Sequence, residues 1–147
     1  MQAGGNAAVI DRYEKELRDI GSLRVADAAA LASIQEFTPW YLATHEHAAV
    51  VRISCTLSEV GEVFQSLHTP VLARAATGVC YAYFDNPQAA EAVSSTRKAI
   101  IEFAPEAQKP KLKLWPSLEP DFELMKRIKH MLDPEQLLNR GRLYNRI

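Results

Sequence analysis

The central part of the chain alternates between strand-like and helix-like segments, and this order restricts the fold more than any other feature. Short β-branched and apolar runs are followed by segments whose apolar residues recur at helical spacing. The predicted strands cover residues 48–55, 70–75, 78–84 and 99–103. With one helix after the first strand and one after the third, the order is β-α-β-β-α-β, the split ferredoxin-like unit. We therefore predict an α+β fold with an antiparallel sheet that is covered by helices on one face.

Two helices are predicted before this core. Asn6 is suited to cap the first, and Gly21 to end it. The second covers residues 27–37, and Pro39 is expected to end it.

A further helix is predicted near the C-terminus. Pro120 suits its first turn, and Pro134 ends it because the residue before a proline is pushed out of the α region. Asp133 can cap the short turn that follows. The apolar residues that share one face of this helix are Leu124, Met125, Ile128, Met131 and Leu132.

Length and charge restrict the class of protein. The 147 residues are enough for one domain, with a helical part over 6–37, a ferredoxin-like core over 48–104 and a C-terminal helix and loop over 119–147. The net charge of −1 gives no electrostatic reason to bind nucleic acid or an anionic membrane. There is no membrane-spanning apolar run and no signal peptide, so a cytoplasmic protein with reduced thiols is expected.

The residue types that carry metal or nucleophilic chemistry form no pattern. His45 and His47 would lie on one side of an extended segment, but a metal site needs a third convergent ligand and no spacing supplies one. We expect a solvated loop there and no metal. Cys55 and Cys80 fall in predicted strands, where cysteine is usually a small core residue. The sequence lacks a Gly-x-Ser-x-Gly motif and identifies no catalytic residue.

Three residues of the predicted sheet are candidates for binding a small molecule. Arg52 interrupts an apolar strand, where its guanidinium group suits a substrate carboxylate. Alternatively, Arg52 faces solvent or pairs with a carboxylate of a helix. Tyr81 and Tyr83 lie on one side of their strand by alternation, and they either line a pocket or simply favour strand formation.

The C-terminal residue order resembles that of a known family. The matching pieces are Met125, Ile128-Lys129, Asp133-Pro134, Leu137-Leu138-Asn139, Gly141 and Arg142-Leu143. This run resembles the closing segment of the C-terminal domain of FAD-linked oxidases of the vanillyl-alcohol-oxidase type, and most closely the glycolate oxidase E-subunit branch. One position departs from the pattern, because Arg140 stands where the family has proline. The ferredoxin-like character of these domains agrees with the predicted fold.

The resemblance implies a substrate-side domain of an FAD-dependent oxidoreductase that acts on a 2-hydroxy acid such as glycolate. The family holds FAD mainly on a separate domain, which we expect to be absent from this chain, so the chain alone is expected to be inactive. The implied partners are that FAD-binding domain or subunit and the small hydroxy acid. By resemblance, the flavin-side residues are Asn139, Gly141 and Arg142, and the substrate-binding residues are Arg52, Tyr81 and Tyr83.

A second function from a different class is also compatible with the sequence. A ferredoxin-like domain can serve as an interaction or small-ligand module, with its exposed sheet face forming a homodimer. Fold alone does not distinguish this role from that of an oxidase domain.

Overall fold

The computed structural model describes residues 5–22, 27–97, 99–116 and 121–140. Within these residues, none of the helices combines the length and the apolar character that crossing a membrane requires.

The chain divides into two compact units, of which the first is Met1–Phe37. In this unit α1 (Ala7–Ile20) begins after Asn6, and α2 (Ala28–Gln35) begins after Asp27. Each capping side chain accepts a hydrogen bond from the amide three residues further on, at 3.1 Å and 2.8 Å respectively. These bonds satisfy amides that a helix start leaves without a partner. Both predicted N-terminal helices are confirmed.

The expectation that Pro39 ends the second helix is wrong. That helix already ends at Gln35, and α3 (Phe37–Thr44) begins after a turn at Glu36. Pro39 therefore lies in the first turn of α3. A proline is tolerated there because its missing N–H would have no partner within the helix.

The second unit, Thr38–Ile147, contains a four-stranded antiparallel sheet. Its strands are β1 (Ala49–Ser54), β2 (Val71–Arg74), β3 (Val79–Phe84) and β4 (Ile100–Phe103), in the spatial order β2-β3-β1-β4. The helix α4 (Val60–Ser66) connects β1 to β2, and α5 (Pro87–Arg97) connects β3 to β4. The predicted α+β fold with a ferredoxin-like βαββαβ order is confirmed. The extents of the domain and of its three parts stay predictions.

The core lies on the face of the sheet that α4 and α5 cover. Alternate residues of the two central strands point into it, and Val63 of α4 and Ala90 of α5 pack against them. The buried strand residues of this cluster are Ala49, Val51, Ile53, Cys80, Ala82 and Ile101. Because side chains alternate along a strand, the residues between them lie on the opposite face.

A tight approach between β1 and β3 requires glycine at position 78. Gly78 has φ +64°, and a Cβ added to it would lie 2.0 Å from the carbonyl oxygen of Cys55. The amide of Cys55 also donates to the carbonyl of Gly78 at 2.8 Å, which holds the two backbones together. Only glycine combines this conformation with this contact.

The last helix of the described chain is α6 (Phe122–Leu132). Phe122 is buried at its first turn and anchors it. Asp133 follows the helix and organises the next turn, as predicted. The predicted start near Pro120 lies outside the described residues.

Candidate functional site

The sheet face opposite α4 and α5 carries the predicted substrate residues. Val51 and Ile53 of β1 point into the core, so Arg52 and Ser54 point to this second face. We call it the open face. It also carries Tyr81 on β3, because Tyr81 lies directly opposite Arg52 in the β1–β3 ladder.

Arg52 and Tyr81 form a row with a residue that the sequence interpretation missed. Arg74, the last residue of β2, places its guanidinium carbon 5.5 Å from the centre of the Tyr81 ring. Arg52 flanks the same tyrosine from β1. Arg74 could have been identified as a candidate, because it is a single basic residue within a predicted strand, as Arg52 is. Its position beside Tyr81 depends on the register between β2 and β3, which the pattern does not give.

In the described part of the chain, neither arginine of this row forms an ion pair with a carboxylate. Among the described residues, the acidic partners of arginines are Glu14, Glu16 and Glu62, and none of them pairs with Arg52 or Arg74. The predicted alternative of a helix carboxylate for Arg52 is therefore not seen in this part of the chain. Two guanidinium groups that lie beside a phenol and have no ion-pair partner among the residues described favour an anionic ligand.

Tyr83 lies on the same face but is covered by α3. Its side chain is fully buried, and its hydroxyl lies 2.5 Å from the Thr38 hydroxyl. The ring of Tyr41 packs edge-on against it, with centroids 5.2 Å apart. Burial raises the pKa of Tyr83. The structure thus brings Arg52 and Tyr81 together at the exposed part of the face, whereas Tyr83 forms the contact with α3. Its substrate role stays a prediction.

A polar cluster links α3 to the end of β3. The hydroxyl of Tyr41 donates a hydrogen bond to Asp85, and the ring of His45 stacks on Tyr41 with centroids 4.0 Å apart. The Nε2 atom of His45 is 3.7 Å from a carboxylate oxygen of Asp85. Burial, and then the hydrogen bond to Asp85, raise the pKa of the Tyr41 hydroxyl. This cluster could not be predicted because Tyr41 and Asp85 are 44 residues apart along the chain.

Asp85 also borders a pocket of about 520 Å³, together with His47, Gln88, Gln108 and Lys111. None of the predicted site residues lines this pocket. Within the described ranges, no group of three or more His, Cys, Asp and Glu side chains is placed to hold a metal ion.

The two thiols lie on the core side of the central strands. Cys80 is fully buried, and Cys55 packs partly buried against the same core. Burial raises the pKa of the Cys80 thiol to about 11, and the neighbouring Cys55 contributes to the shift. A thiol of such high pKa is a poor nucleophile near neutral pH.

The helix α6 exposes most of its apolar face. Apart from buried Phe122, its large apolar residues and those of the next turn have exposed fractions of 38–74%. We call this set the apolar stripe of α6, and it consists of Leu124, Met125, Ile128, Met131, Leu132, Leu137 and Leu138. A contiguous apolar patch of this kind is typical of an interaction surface.

The turn after α6 is held by a buried carboxylate. Asp133 accepts hydrogen bonds from the amides of Leu137 and Leu138, at 2.8 Å and 3.0 Å. It also pairs with Lys129, whose ammonium group donates to the carbonyl of Leu138 at 2.6 Å. The bond from Lys129, followed by those from the amides, lowers the pKa of Asp133 to about 2. The predicted cap is confirmed.

The described residues do not fit a complete FAD site. A pyrophosphate is usually bound by free amides of a glycine-rich loop at a helix start. Gly78, which has a positive φ, is instead pressed against the backbone of Cys55. Of the predicted flavin-side residues, Asn139 is exposed with φ +48°, and Gly141 and Arg142 lie outside the described residues. Their contact with flavin stays a prediction.

Comparison with known proteins relates the C-terminal part of the chain to a known family. The model of a family described as FAD linked oxidases, C-terminal domain, matches residues 116–143, about one fifth of the 147 residues. The matched segment contains α6 and the Asp133 turn. No curated protein and no solved structure matches the chain. The family match supports the relationship of this chain to the C-terminal domain of FAD-linked oxidases.

Proposed function

We propose that this chain is the substrate-side domain of an FAD-dependent oxidoreductase of the glycolate oxidase E-subunit branch, and that its substrate is a 2-hydroxy acid. An FAD-binding domain or subunit would hold the flavin, and the flavin would supply the hydride-accepting chemistry. The present chain orients the substrate and excludes water from the reacting atoms.

The observation that carries this proposal is the position of the apolar stripe of α6. It lies within the segment 116–143 that the family model matches. Seven large apolar side chains in one short segment are costly to leave in water, at about 25 cal/mol per Å² of apolar surface. An FAD-binding domain is the partner that the family match suggests, and burial of the stripe would supply the association energy.

The open face supports the substrate half of the proposal. A 2-hydroxy acid carries a carboxylate, and the guanidinium of Arg52 can bind it through two parallel hydrogen bonds. The hydroxyl of Tyr81, on the adjacent strand, is available as an additional donor.

The test is reconstitution. The chain is mixed with the FAD-loaded binding domain of an E-subunit-type oxidase, preferably one encoded beside it. Complex formation is measured by sedimentation, and glycolate oxidation by flavin bleaching. We expect a complex and restored turnover; an oxidase domain that neither binds the chain nor responds to it would refute the proposal.

A matched pair of variants identifies the surface. Ile128→Glu places a charge within the apolar stripe, whereas His130→Glu adds the same charge on the exposed polar face of α6. We expect the first to weaken the complex at least tenfold, while both leave the melting temperature of the chain nearly unchanged. Equal effects of the two variants would contradict a role for the stripe.

The competing proposal is an interaction module that works as a homodimer. The same exposed stripe favours it, because a second copy would bury these side chains equally well. Sedimentation of the chain alone separates the two proposals. A tight homodimer that is unaffected by the flavin domain would favour the module.

A further inference from the structure

The pocket beside Asp85 lies at one end of the sheet and is separate from the proposed substrate residues. It is bordered by Asp85 directly after β3, by His47 shortly before β1 and by the segment 108–111 that follows β4. Its volume of about 520 Å³ lies within the range of about 300–1,000 Å³ that is typical of small-ligand pockets. The open-face residues that carry the proposed function do not line it. A ligand bound in this pocket would therefore be additional to the proposed substrate.

The backbone around this pocket is held by hydrogen bonds that leave most of its polar side chains unused. The amide of Gln88 donates to the side-chain oxygen of Asn86 at 2.8 Å, and the amide of Lys111 donates to the carbonyl of Gln108 at 2.9 Å. Within the described part of the chain, the side chains of His47, Gln88, Gln108 and Lys111 form no hydrogen bond or ion pair. Such a pocket is preorganised for a polar ligand, because its walls need little ordering when the ligand binds.

Two opposite charges border the pocket, and together they disfavour a ligand with a net charge. The carboxylate of Asp85 is held at the end of β3 by the hydrogen bond from the Tyr41 hydroxyl, and the ammonium group of Lys111 lies on the 108–111 segment. An anion that is attracted by Lys111 is repelled by Asp85, and the reverse holds for a cation. In its neutral form His47 adds one donor and one acceptor. The charges thus favour a ligand that is neutral overall.

The polar lining also disfavours an apolar ligand. Pro87 is buried, and the other lining residues carry amide, carboxylate, ammonium or imidazole groups. An apolar ligand would remove water from these groups without replacing its hydrogen bonds. The amides of Asn86, Gln88 and Gln108 can each donate and accept, and a hydroxyl group can do the same. A ligand with several hydroxyl groups therefore matches this lining.

On these grounds we propose that the pocket binds a neutral polyhydroxylated molecule such as a sugar. Neighbouring hydroxyls of a sugar ring can bond to the two ends of one planar amide, so that one hydroxyl accepts from its NH₂ group and the next donates to its oxygen. Gln88 and Gln108 supply such amides from two different segments of the chain. The ammonium group of Lys111 is a further donor to a hydroxyl oxygen.

The test is a titration of the isotope-labelled full chain followed by NMR. The probes are maltose, cellobiose and lactose, while glycine and inorganic phosphate test a zwitterionic and an anionic ligand. We expect at least one disaccharide to shift the backbone amides of Asn86, Gln88, Gln108 and Lys111 saturably, with a dissociation constant of about 1–10 mM. The inference is overturned if no disaccharide gives a saturable shift at these amides up to about 50 mM, or if glycine or phosphate binds there more tightly than every disaccharide.

A matched set of variants assigns the binding to the pocket. Gln108→Leu nearly keeps the size of the side chain but removes its donor and acceptor, and it should weaken disaccharide binding at least about fivefold. Gln88→Leu makes the same change on another segment, which keeps the inference testable if Gln108→Leu fails to fold. Gln65→Leu is the control, because Gln65 is exposed on α4 and does not line the pocket, and it should leave the affinity unchanged. Unchanged affinity in both pocket variants, or equal losses in all three, would refute the site.

Discussion

The carboxylate of Asp133 accepts hydrogen bonds from three groups of the described chain. Its oxygens accept from Leu137, Leu138 and Lys129, and together these bonds fix the turn after α6. Asp133→Asn keeps one acceptor but loses the charge that pairs with Lys129. We expect the melting temperature at pH 7 to fall by roughly 2–5 °C.

The pH dependence of this effect follows from the direction of the pKa shift. The pKa of Asp133 is lowered from 3.8 to about 2 in the folded chain. Its contribution is therefore complete above about pH 4 and is lost as the pH falls towards 2. Melting temperatures of Asp133→Asn and of the unaltered chain should converge over this range.

The control is Glu123→Gln, which removes an exposed partner of Lys126 and should change the melting temperature little at any pH. A constant difference between Asp133→Asn and the unaltered chain would contradict the proposed role of the Asp133 charge.

Gly78 is a residue at which any side chain is excluded. Gly78→Ala combines an unfavourable positive φ with a Cβ placed 2.0 Å from the carbonyl oxygen of Cys55. We expect a loss of roughly 2–4 kcal/mol in the free energy of unfolding, measured in urea. Gly61→Ala is the matched control, because nothing lies within 4 Å of its added Cβ and it lies in α4. Gly61→Ala should raise the free energy of unfolding by about 0.5–1 kcal/mol. If both variants instead lose stability to a similar extent, the contact with Cys55 is not the cause of the loss in Gly78→Ala.

Residues that act on their near neighbours in sequence could be predicted, and residues that act at long range could not. Asn6 and Asp133 each bond to amides within five positions, so their types and spacing were sufficient. Tyr41 and Asp85 meet across 44 positions, and Thr38 and Tyr83 across 45. A single sequence carries no local signal for such pairs, because they arise only when α3 packs on the sheet.

The attachment of α3 to the open face is a testable property of two elements. The hydroxyls of Thr38 and Tyr83 form a hydrogen bond of 2.5 Å between them. We expect Tyr83→Phe to lower the free energy of unfolding by about 1–2 kcal/mol. A double-mutant cycle with Thr38→Val should give a coupling free energy of about 1 kcal/mol between the two hydroxyls. Urea unfolding of the four proteins measures both quantities.

Tyr81 offers the control for this cycle. It lies on the same strand, is half-exposed, and its hydroxyl has no described hydrogen-bond partner. Tyr81→Phe should change the free energy of unfolding by less than about 0.5 kcal/mol. A coupling near zero between Thr38 and Tyr83 would mean that other contacts attach α3.

The periodicity of α6 identified its apolar face but not its exposure. Leu124, Met125 and Ile128 repeat at helical spacing, which is the usual sign of a buried side. Periodicity shows which side of a helix avoids water, and it does not show what covers that side. In the structure this apolar face is partly exposed, since the exposed fraction of Ile128 is 44%.

For the molecule as a whole, the residues of the sheet core all belong to the second compact unit. The buried cluster and the residues packed on it all lie between Ala49 and Leu114 in the described chain. We therefore expect a fragment of residues 38–147 to unfold cooperatively, with a melting temperature within about 5 °C of the full chain. Circular dichroism and calorimetry measure this; a fragment without a cooperative transition would show that residues 1–37 belong to the folding unit.

The overall architecture was predictable because binary patterning and turn chemistry agreed along residues 48–103. Each strand boundary in this segment lies within about one residue of its prediction, and the strand order followed from the βαββαβ topology. The Arg52–Tyr81–Arg74 row was only partly predictable. It depends on the register of three strands, and register is set by packing rather than by composition.

The burial of Cys80 has a practical consequence. Its sulfur is inaccessible and fully protonated at neutral pH, whereas Cys55 is partly accessible. An alkylating reagent added to the native protein should therefore modify Cys55 first, and Cys80 only when the central strands separate. The rate of the second modification, followed by mass spectrometry, consequently measures how often the middle of the sheet opens, without any introduced label.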